Sequence, residues 1–323
     1  MAPRFQREVY TVGWVCALPV ELAAAQEMLD EEHEDLEQDE NDSNLYSLGS
    51  IGGHNVVLAC LPAGQTGNNS AAAVAMQMKA SFKGIRFGLM VGIGGGVPSE
   101  EVDIRLGDVV VSQPVQALGG VVQYDFGKAA PSGFERIGSL NTPPPILLNV
   151  ASKMHANHIR RRSNLHDYIC KLSHIPEFTR ASAGLDILFE APYNHVGGQT
   201  CETCSVDKSI TRQPEEKEEV IVHYGTIASG NQVMRDGTTR DTVSAKLGGV
   251  LCFEMEAAGL MNTFPCLVIR GICDYADSHK NKKWQAYATG TAAACAKEVR
   301  SVIPPSEVAQ SPTVDRIIRE TNG

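Results

Sequence analysis

Residues 248–277, which read GGVLCFEMEAAGLMNTFPCLVIRGICDYAD, decide the fold of this chain. Two short apolar runs rich in β-branched residues flank a segment rich in Ala and Met. The apolar positions of that segment have helical spacing, and Pro265 closes it. The pattern predicts a strand, a helix and a second strand, as in an open α/β sheet.

Charged residues stand at the ends of both predicted strands. The first run leads into Glu-Met-Glu at 254–256, and the second ends in Arg-Gly-Ile-Cys-Asp at 270–274. Ligands bind at the carboxyl ends of strands in open α/β sheets, and buried charges need a partner or a function. The pattern therefore predicts a functional site at this edge of the sheet. A structural ion-pair cluster is the alternative interpretation.

The composition narrows the class of protein. Of 323 residues, 43% are hydrophobic and 20% are charged, which is typical of a soluble globular protein with one large or two smaller α/β domains. A net charge of −10 argues against a nucleic-acid binder. Because the sequence shows no membrane-length apolar run and no apolar signal core, we expect a cytoplasmic protein that binds neither membrane nor nucleic acid. The nine Cys lie mostly in apolar runs, as reduced, buried thiols do.

The N-terminal region predicts a strand followed by a helix. Residues 9–18 form a continuous apolar run, and Pro19 suits the first turn of a helix over 20–29. Glu21 lies in that first turn, where the helix dipole favours a carboxylate. The functional alternative is that Glu21 points into the same cleft as the acidic residues of the 248–277 stretch.

Two glycine-rich segments are candidate anion-binding sites. Residues 63–70 (AGQTGNNS) predict a turn that opens a helix, and backbone N–H groups at a helix N-terminus suit an anion. Residues 87–92 predict a buried strand that ends in a turn at 92–96, where glycines allow the backbone close to a ligand or simply form the turn. Neither segment carries the Lys-Ser/Thr pair of a P-loop.

The remaining pattern predicts further elements of an α/β domain. They are a solvated acidic loop at 30–42, a hairpin at 46–51 and 55–60, a strand at 106–112, one or two helices within 143–174, a strand at 220–227 and a final helix at 284–302.

A long irregular section at 176–219 contains Cys201 and Cys204, spaced as CxxC. One such pair is half of a zinc site, and candidates such as His195 are scattered rather than paired. An ordinary loop is the favoured interpretation, and a metal site is the alternative, so no metal is expected.

The chain resembles the purine nucleoside phosphorylase/uridine phosphorylase superfamily, and within it the 5′-methylthioadenosine/S-adenosylhomocysteine nucleosidases. The similar segments follow the family's order across residues 9–303, and they are 12–21 (VGWVCALPVE), 91–96 (VGIGGG), 106–111 (LGDVVV), 253–257 (FEMEA) and 269–274 (IRGICD). The resemblance implies a three-layer α/β fold of the nucleoside phosphorylase type, with a mixed central β-sheet flanked by helices.

The chain also resembles nucleosidase-like modules at the N-termini of fungal multidomain proteins. This resemblance implies a catalytic domain at 9–303, with an irregular insertion at about 155–220. Residues 1–8 are then an N-terminal tail, and residues 304–323 are a polar C-terminal tail or linker. Fusion to further domains in a longer parent chain is therefore possible.

The family chemistry is cleavage of an N-ribosidic bond, which needs an acid at the base and anchors on the ribose. Asp274 matches the general acid toward purine N7. Glu256 matches the residue that holds the ribose hydroxyls, and Met255 matches one that packs on the sugar. The other expected substrate contacts are Glu254, Ser229, Asn231, Val233, Gly92, Ile93 and Gly94.

The resemblance favours hydrolysis over phosphorolysis. Phosphorylases hold phosphate with an Arg and a Ser or Thr at positions that here are Met90 and Ile93. Nucleosidases position water with a Glu and an Arg that here are Glu21 and Arg270. Ile93 replaces a Ser that helps to hold this water. The enzyme alternative is a phosphorylase that binds phosphate through backbone N–H groups of the glycine-rich segments.

The resemblance favours an adenine nucleoside or nucleotide as substrate. It implies no cofactor. Asn231 stands where many relatives carry an Asp near the base. Some relatives in immune-type proteins act on ATP. Related enzymes complete the 5′ end of the site with a neighbouring subunit, so we expect a homo-oligomer. A catalytically silent nucleoside sensor is the non-enzyme alternative. Candidates for the 5′ side, whose alternative is a solvated loop, are Arg235, Arg240, His279, Lys280 and Lys282.

Overall fold

Three apolar runs form neighbouring strands at the centre of a mixed sheet. In the computed structural model, which describes residues 2–131, 133–198, 200–213 and 219–322, β1 is Val12–Cys16, β5 is Phe87–Gly96 and β13 is Cys266–Asp274. Strand β5 lies parallel to both neighbours, β1 and β13. Every residue of β1 and β13 is buried, which explains the apolar run of β1 and the apolar start of β13 before Arg270.

The sheet extends from this centre in both directions. The other strands are β2 Glu31–Glu32, β3 Tyr46–Ile51, β4 His54–Cys60, β6 Val109–Ser112, β7 Val121–Gln123, β10 Val222–Gly225, β11 Ile227–Ser229 and β12 Cys252–Glu254. The main order is β10-β6-β13-β5-β1-β4-β3-β2, and β12 joins the far end of β5 and carries β11 and β7 beside it. A separate hairpin pairs β8, Gly127–Ala130, with β9, Gly133–Arg136.

Helices cover both faces of the sheet. They are α1 Pro19–Glu27, α2 Asn68–Ser81, α3 Pro145–Ile159, α4 Leu165–Lys171, α5 Arg180–Ala183, α6 Gly237–Lys246, α7 Gln285–Val302, α8 Pro305–Gln310 and α9 Val314–Asn322. Trp14 faces a core built with α1, α3, α4 and α7, whereas the next residue, Val15, faces a second core built with α2. This alternation along one strand produces the three predicted layers.

Most predicted elements are confirmed, including the hairpin of β3 and β4, the two helices α3 and α4, and the final helix α7. The section 176–219 is irregular in its described part apart from the short helix α5 and several 3₁₀ turns. Among the described residues, no helix is both long and apolar enough to cross a membrane.

The predicted helix inside the 248–277 stretch is wrong. Only a 3₁₀ turn, Ala257–Gly259, and further turns connect β12 to β13. Gly259 lies directly against the first turn of α2, where an added Cβ would come within 2.0 Å of the Asn68 carbonyl oxygen. The connection is therefore folded by this close contact rather than by helix propensity.

Of the two interpretations of the glycines at 92–96, the tight turn is wrong, because these residues continue β5. Gly92 is in register with Arg270, and Gly95 with Asp274. A Cβ at position 95 would come within 2.7 Å of Asp274 Oδ1. The glycines thus allow charged side chains of β13 to approach β5 closely.

Two segments expected to be solvated are partly packed. In the acidic loop, Asp42 is buried and accepts hydrogen bonds from the hydroxyls of Tyr46, at 2.6 Å, and Ser81. In the C-terminal tail, Val314 is buried and its N–H donates to the Ile85 carbonyl at 2.9 Å. Each segment has only a few packed residues of this kind, so its sequence remains mostly polar and predicts a solvated segment.

Candidate active site

Arg270 organises a buried cluster at the carboxyl end of β13. Its side chain has no exposed surface, and its Nη2 pairs with Glu254 and lies 3.5 Å from Glu256 Oε2. Burial alone would lower the pKa of Arg270, but Glu254, Glu256 and Glu21 outweigh it and raise that pKa. A guanidinium in this position is held charged by the carboxylates around it.

Glu21 completes the cluster from the first turn of α1. Its Oε2 accepts hydrogen bonds from the backbone N–H groups of Ala17, at 2.7 Å, and Leu18, at 3.0 Å, and its Oε1 accepts one from Ile93 at 2.9 Å. Burial raises the pKa of Glu21, against the opposing effects of Arg270 and these three amides. The side chain is therefore fixed and points from the helix toward β5.

Gly92 makes room for this arrangement. A Cβ at position 92 would come within 2.4 Å of Glu21 Oε1 and 2.6 Å of Arg270 Nη1. Since such contacts are far below van der Waals distance, the cluster requires glycine at this point of β5.

The two glutamates of Glu-Met-Glu have different surroundings. Glu254 accepts hydrogen bonds from the backbone N–H groups of Glu256 and Ala257, both at 3.0 Å, so it folds the turn after β12. Glu256 accepts one from the Gly67 N–H at 3.2 Å. Burial raises the pKa of Glu256 to about 7; Arg270 opposes the shift, and the other carboxylates strengthen it.

Asp274 lies at the end of β13 with both oxygens engaged. Its Oδ1 accepts a hydrogen bond from the Ala276 N–H at 2.8 Å and lies 3.2 Å from the Lys280 ammonium. Its Oδ2 accepts one from the Cys273 thiol at 3.2 Å. Ala276 adopts a left-handed backbone conformation, with φ of +50°, which turns its N–H back onto the carboxylate.

These carboxylates line one cavity of about 380 Å³. Its size suits a small organic ligand. Its lining includes the four carboxylates of Glu21, Glu254, Glu256 and Asp274, and three cationic side chains, Arg235, Lys280 and Lys282. We call the four carboxylates and Arg270 the acidic floor, and the three cationic residues the basic rim.

The family is settled by sequence comparison, since residues 11–303 match the profile described as Phosphorylase superfamily. The chain belongs to this superfamily. The predicted resemblance is thereby confirmed, and the acidic floor is a feature of a phosphorylase-superfamily domain.

Relatives within the superfamily include domains of larger proteins. A nucleotide-binding leucine-rich repeat (NLR)-like protein of Hyaloscypha variabilis is 47% identical over 306 residues, which is 94% of this chain and 30% of that protein. An ATP nucleosidase, Cap17, of Escherichia coli is 26% identical over 286 residues, which is 86% of this chain and 48% of that protein. The chain thus spans less than half the length of both relatives.

A solved structure with the same fold is the 5′-methylthioadenosine/S-adenosylhomocysteine nucleosidase of Neisseria meningitidis in complex with methylthio-immucillin-A. It superposes with a TM-score of 0.59 at 16% identity, and the match covers 91% of this chain and all of that one. The likeness shows that this superfamily member has the nucleosidase type of fold.

The structure brings most of the predicted site residues to the cavity. Besides the four carboxylates, Met255, Val233, Ile93, Gly94, Arg235 and Lys280 line it. Arg270 and Gly92 lie behind the carboxylates and support them.

Four other predicted residues have contacts elsewhere. The Ser229 hydroxyl accepts a hydrogen bond from the Ala258 N–H at 2.9 Å, and Asn231 Oδ1 accepts one from the Asn68 N–H at 3.1 Å. Arg240 donates to the Tyr275 carbonyl at 2.7 Å. The ring of His279 is buried and stacks on Phe189, with centroids 4.1 Å apart. None of the four is among the residues that line the cavity.

Several lining residues were missed by sequence reasoning. They are Thr66, Gln232, Met234, Phe253, Asn281 and Gln285, together with Ala17 and Leu18. Two signals were available: Thr66 precedes Gly67 in the first glycine-rich segment, and Phe253 precedes Glu-Met-Glu. Gln285 begins α7 and reaches the cavity only through the tertiary fold, so its sequence position carries no signal.

Proposed function

We propose that this chain hydrolyses the N-glycosidic bond of a purine nucleotide, with ATP as the favoured substrate, and releases adenine and a ribose phosphate. The observation that carries the proposal is the juxtaposition of the acidic floor and the basic rim around one cavity. The floor provides the groups that N-glycosidic cleavage needs, and the rim provides charges that complement phosphates.

Asp274 is the proposed general acid. Cleavage of the C1′–N9 bond leaves negative charge on the purine, which a proton delivered to N7 neutralises. The Asp274 carboxyl lines the cavity and is fixed in position by the Ala276 N–H. It is thus oriented toward a ligand rather than toward the protein interior.

Glu21 is the proposed base for the water nucleophile. Its backbone hydrogen bonds hold both oxygens in place at the cavity wall, beside the buried guanidinium of Arg270. A carboxylate in this position accepts a proton from water as the oxygen adds to C1′. The same negative charge repels phosphate.

Glu256 and Met255 are the proposed ribose contacts. A carboxylate can accept hydrogen bonds from two neighbouring hydroxyls, and Glu256 is oriented by the Gly67 N–H at Oε1 and by Arg270 at Oε2. Met255 supplies apolar surface in the same wall of the cavity. Together they would fix the sugar between the acid and the water.

The basic rim is the proposed phosphate site. The Lys280 ammonium pairs with Asp274 at 3.2 Å. A purine that presents N7 to Asp274 takes the place of this ammonium, which is then free to pair with phosphate. Arg235 and Lys282 are both exposed at the same cavity and add positive charge. The name of the relative Cap17, an ATP nucleosidase, agrees with a triphosphate at this position.

Phosphorolysis is disfavoured by the same contacts. The backbone alternative needs free N–H groups in the two glycine-rich segments. However, the Gly67 N–H donates to Glu256 and the Ile93 N–H donates to Glu21. Both amides are therefore occupied by carboxylates, whose charge opposes an incoming phosphate.

The test is base release from ATP, AMP, adenosine and methylthioadenosine, each with and without inorganic phosphate. We expect adenine at a phosphate-independent rate, and a higher kcat/KM for ATP than for adenosine. GTP serves as a control for the base. Strict phosphate dependence with formation of ribose 1-phosphate would restore the phosphorylase alternative. Binding without turnover would instead favour a sensor.

A further inference from the structure

Three potential metal ligands meet in the irregular section after α5, outside the cavity. His195 Nδ1 lies 3.2 Å from Cys204 Sγ and 3.9 Å from Cys201 Sγ. The ligand atoms of all three side chains lie within 4.8 Å of one another. We propose that His195, Cys201 and Cys204 bind a structural zinc ion.

The distances fit the geometry of zinc. With Zn–S bonds of about 2.3 Å and Zn–N bonds of about 2.0 Å, the ligands of a tetrahedral ion lie roughly 3.3 to 3.8 Å apart. Thiolate and imidazole ligands select zinc over the hard cations Mg²⁺ and Ca²⁺. Cys204 is buried and Cys201 is partly buried, so the sulfurs are sheltered from solvent. The sequence offered His195 only as a scattered candidate, whereas the structure places its ring beside the thiols of Cys201 and Cys204.

The hydrogen bond on the far side of His195 supports this assignment. Its Nε2 lies 3.2 Å from the Gly198 carbonyl oxygen, which can only accept. Nε2 therefore carries the proton, and Nδ1 presents its lone pair to the two sulfurs. Metal-binding histidines are commonly oriented in this way, by donating the other ring N–H to a carbonyl or carboxylate.

His279 is the fourth ligand in this proposal. Both of its ring nitrogens are buried without a hydrogen-bond partner among the described residues, and the nearest charge is Asp277, 3.6 Å from Nδ1. The His279 ring lies edge-on to His195 with centroids 5.7 Å apart. Two imidazoles on one tetrahedral ion have centroids roughly 5 Å apart, so the His279 ring has to move toward the cluster of His195, Cys201 and Cys204 to share the ion.

The ion would join the irregular section to the loop that carries the basic rim. The backbone N–H of His195 donates to the Ser278 hydroxyl at 2.9 Å, and Cys201 Sγ lies 3.7 Å from the His279 carbonyl oxygen. Lys280 follows directly in sequence and lines the cavity. A zinc ion at this site would therefore hold the loop that carries Lys280 in place from outside the cavity. The role of this loop in binding substrate rests on the proposed function, whereas the zinc site does not.

The first experiment measures zinc by mass spectrometry in protein purified from zinc-supplemented cells under reducing conditions. We expect about one zinc per chain in the wild type. The double variant Cys201→Ser/Cys204→Ser should lose it, and His279→Ala should bind it at least tenfold more weakly. Cys170→Ser, at an exposed thiol paired with His166, is the matched control and should retain full zinc.

Cobalt substitution of the wild type keeps the test independent of the variants' folding. We expect sulfur-to-cobalt charge-transfer bands and the intense visible bands of a tetrahedral site. The proposal would be overturned if the wild-type protein contained no zinc and showed none of these bands with cobalt. A Cys201–Cys204 disulfide found by thiol counting would overturn it as well. Undiminished zinc affinity in His279→Ala would overturn the fourth ligand. None of these measurements uses a substrate, so failure of the nucleosidase proposal leaves their outcome unaffected.

Discussion

The acidic floor and the basic rim of the cavity are built differently. The acidic floor lies at strand ends and on the first turn of α1; its side chains are buried, and its four carboxylates accept hydrogen bonds from backbone N–H groups. The basic rim lies on loops, and its side chains are partly or fully exposed. Rigid elements hold groups to the precision that chemistry requires, while loops vary without disturbing the core. In the proposed function, the floor therefore cleaves the bond and the rim selects the substrate.

The energetics of the two sides differ as well. Removing one member of a buried ion pair costs about 3–5 kcal/mol, because the partner stays buried and unpaired. An exposed pair contributes about 0–1 kcal/mol. Variants of the floor should therefore affect both stability and turnover, whereas variants of the rim should affect binding alone.

The largest expected effect is that of Asp274→Asn, which breaks the floor's chemistry and preserves its shape. Loss of a general acid lowers kcat about 10²- to 10⁴-fold. We expect binding of ATP to persist, as measured by calorimetry beside steady-state kinetics. A variant that retains the wild-type rate would remove Asp274 from the role of acid.

Gly92→Ala should break the floor by crowding it. The added methyl would meet Glu21 and Arg270 at 2.4 and 2.6 Å. Overpacking of this kind costs about 1–3 kcal/mol in the free energy of unfolding, which urea titration measures. Gly94→Ala is the matched control, because its Cβ would have no contact shorter than 3.2 Å. Equal stability of the two variants would show that the cluster is not tightly packed.

The pH dependence sharpens the comparison through Glu256 of the floor. The pKa of Glu256 is raised to about 7, so kcat/KM should rise with pH up to that value and fall about tenfold for each unit below it. Glu256→Gln should lack this limb. The pH dependence of stability has the opposite direction. Because the pKa of Glu256 is raised from 4.5 to about 7, the folded state binds this proton more tightly than the unfolded state does. The resulting stabilisation is fully present below about pH 4.5 and is lost as the pH rises through 7.

The smallest expected effect is on the rim. Lys280→Ala should raise KM for ATP by about tenfold, which is ~1.4 kcal/mol, because one phosphate contact is lost. KM for adenosine should change less than about twofold, since the sugar and base contacts remain. Lys283→Ala, in the same loop and outside the cavity lining, is the control. Equal loss for both substrates would contradict the division between floor and rim.

The sequence was most informative about the floor. Unbroken apolar runs identify buried strands, and a charge at the end of such a run is unusual enough to mark Glu256, Arg270 and Asp274 as site residues. Glu21 required the family resemblance, since a helix dipole alone explains a carboxylate in that turn.

The remaining features depend on contacts between distant segments. In the sequence alone, the glycines at 92–96 are compatible with a turn. In the structure they belong to β5, where Gly92 makes room for Glu21 and Gly95 for Asp274. His279 was a candidate for the 5′ side with a solvated loop as the alternative, yet its ring is buried and stacks on Phe189. His195 and Cys204 are nine residues apart, and no local pattern predicts that their ligand atoms meet.

The most direct test of the central claim is ATP cleavage in phosphate-free H₂¹⁸O, with rapid quenching and mass analysis of the sugar. The account predicts one adenine released for each triphosphorylated ribose that carries one ¹⁸O at C1. Authentic ribose 5-phosphate in the same buffer measures background exchange at that carbon. Adenine release that begins only when phosphate is added, with a sugar 1-phosphate as product, would contradict hydrolysis by Glu21 and Asp274.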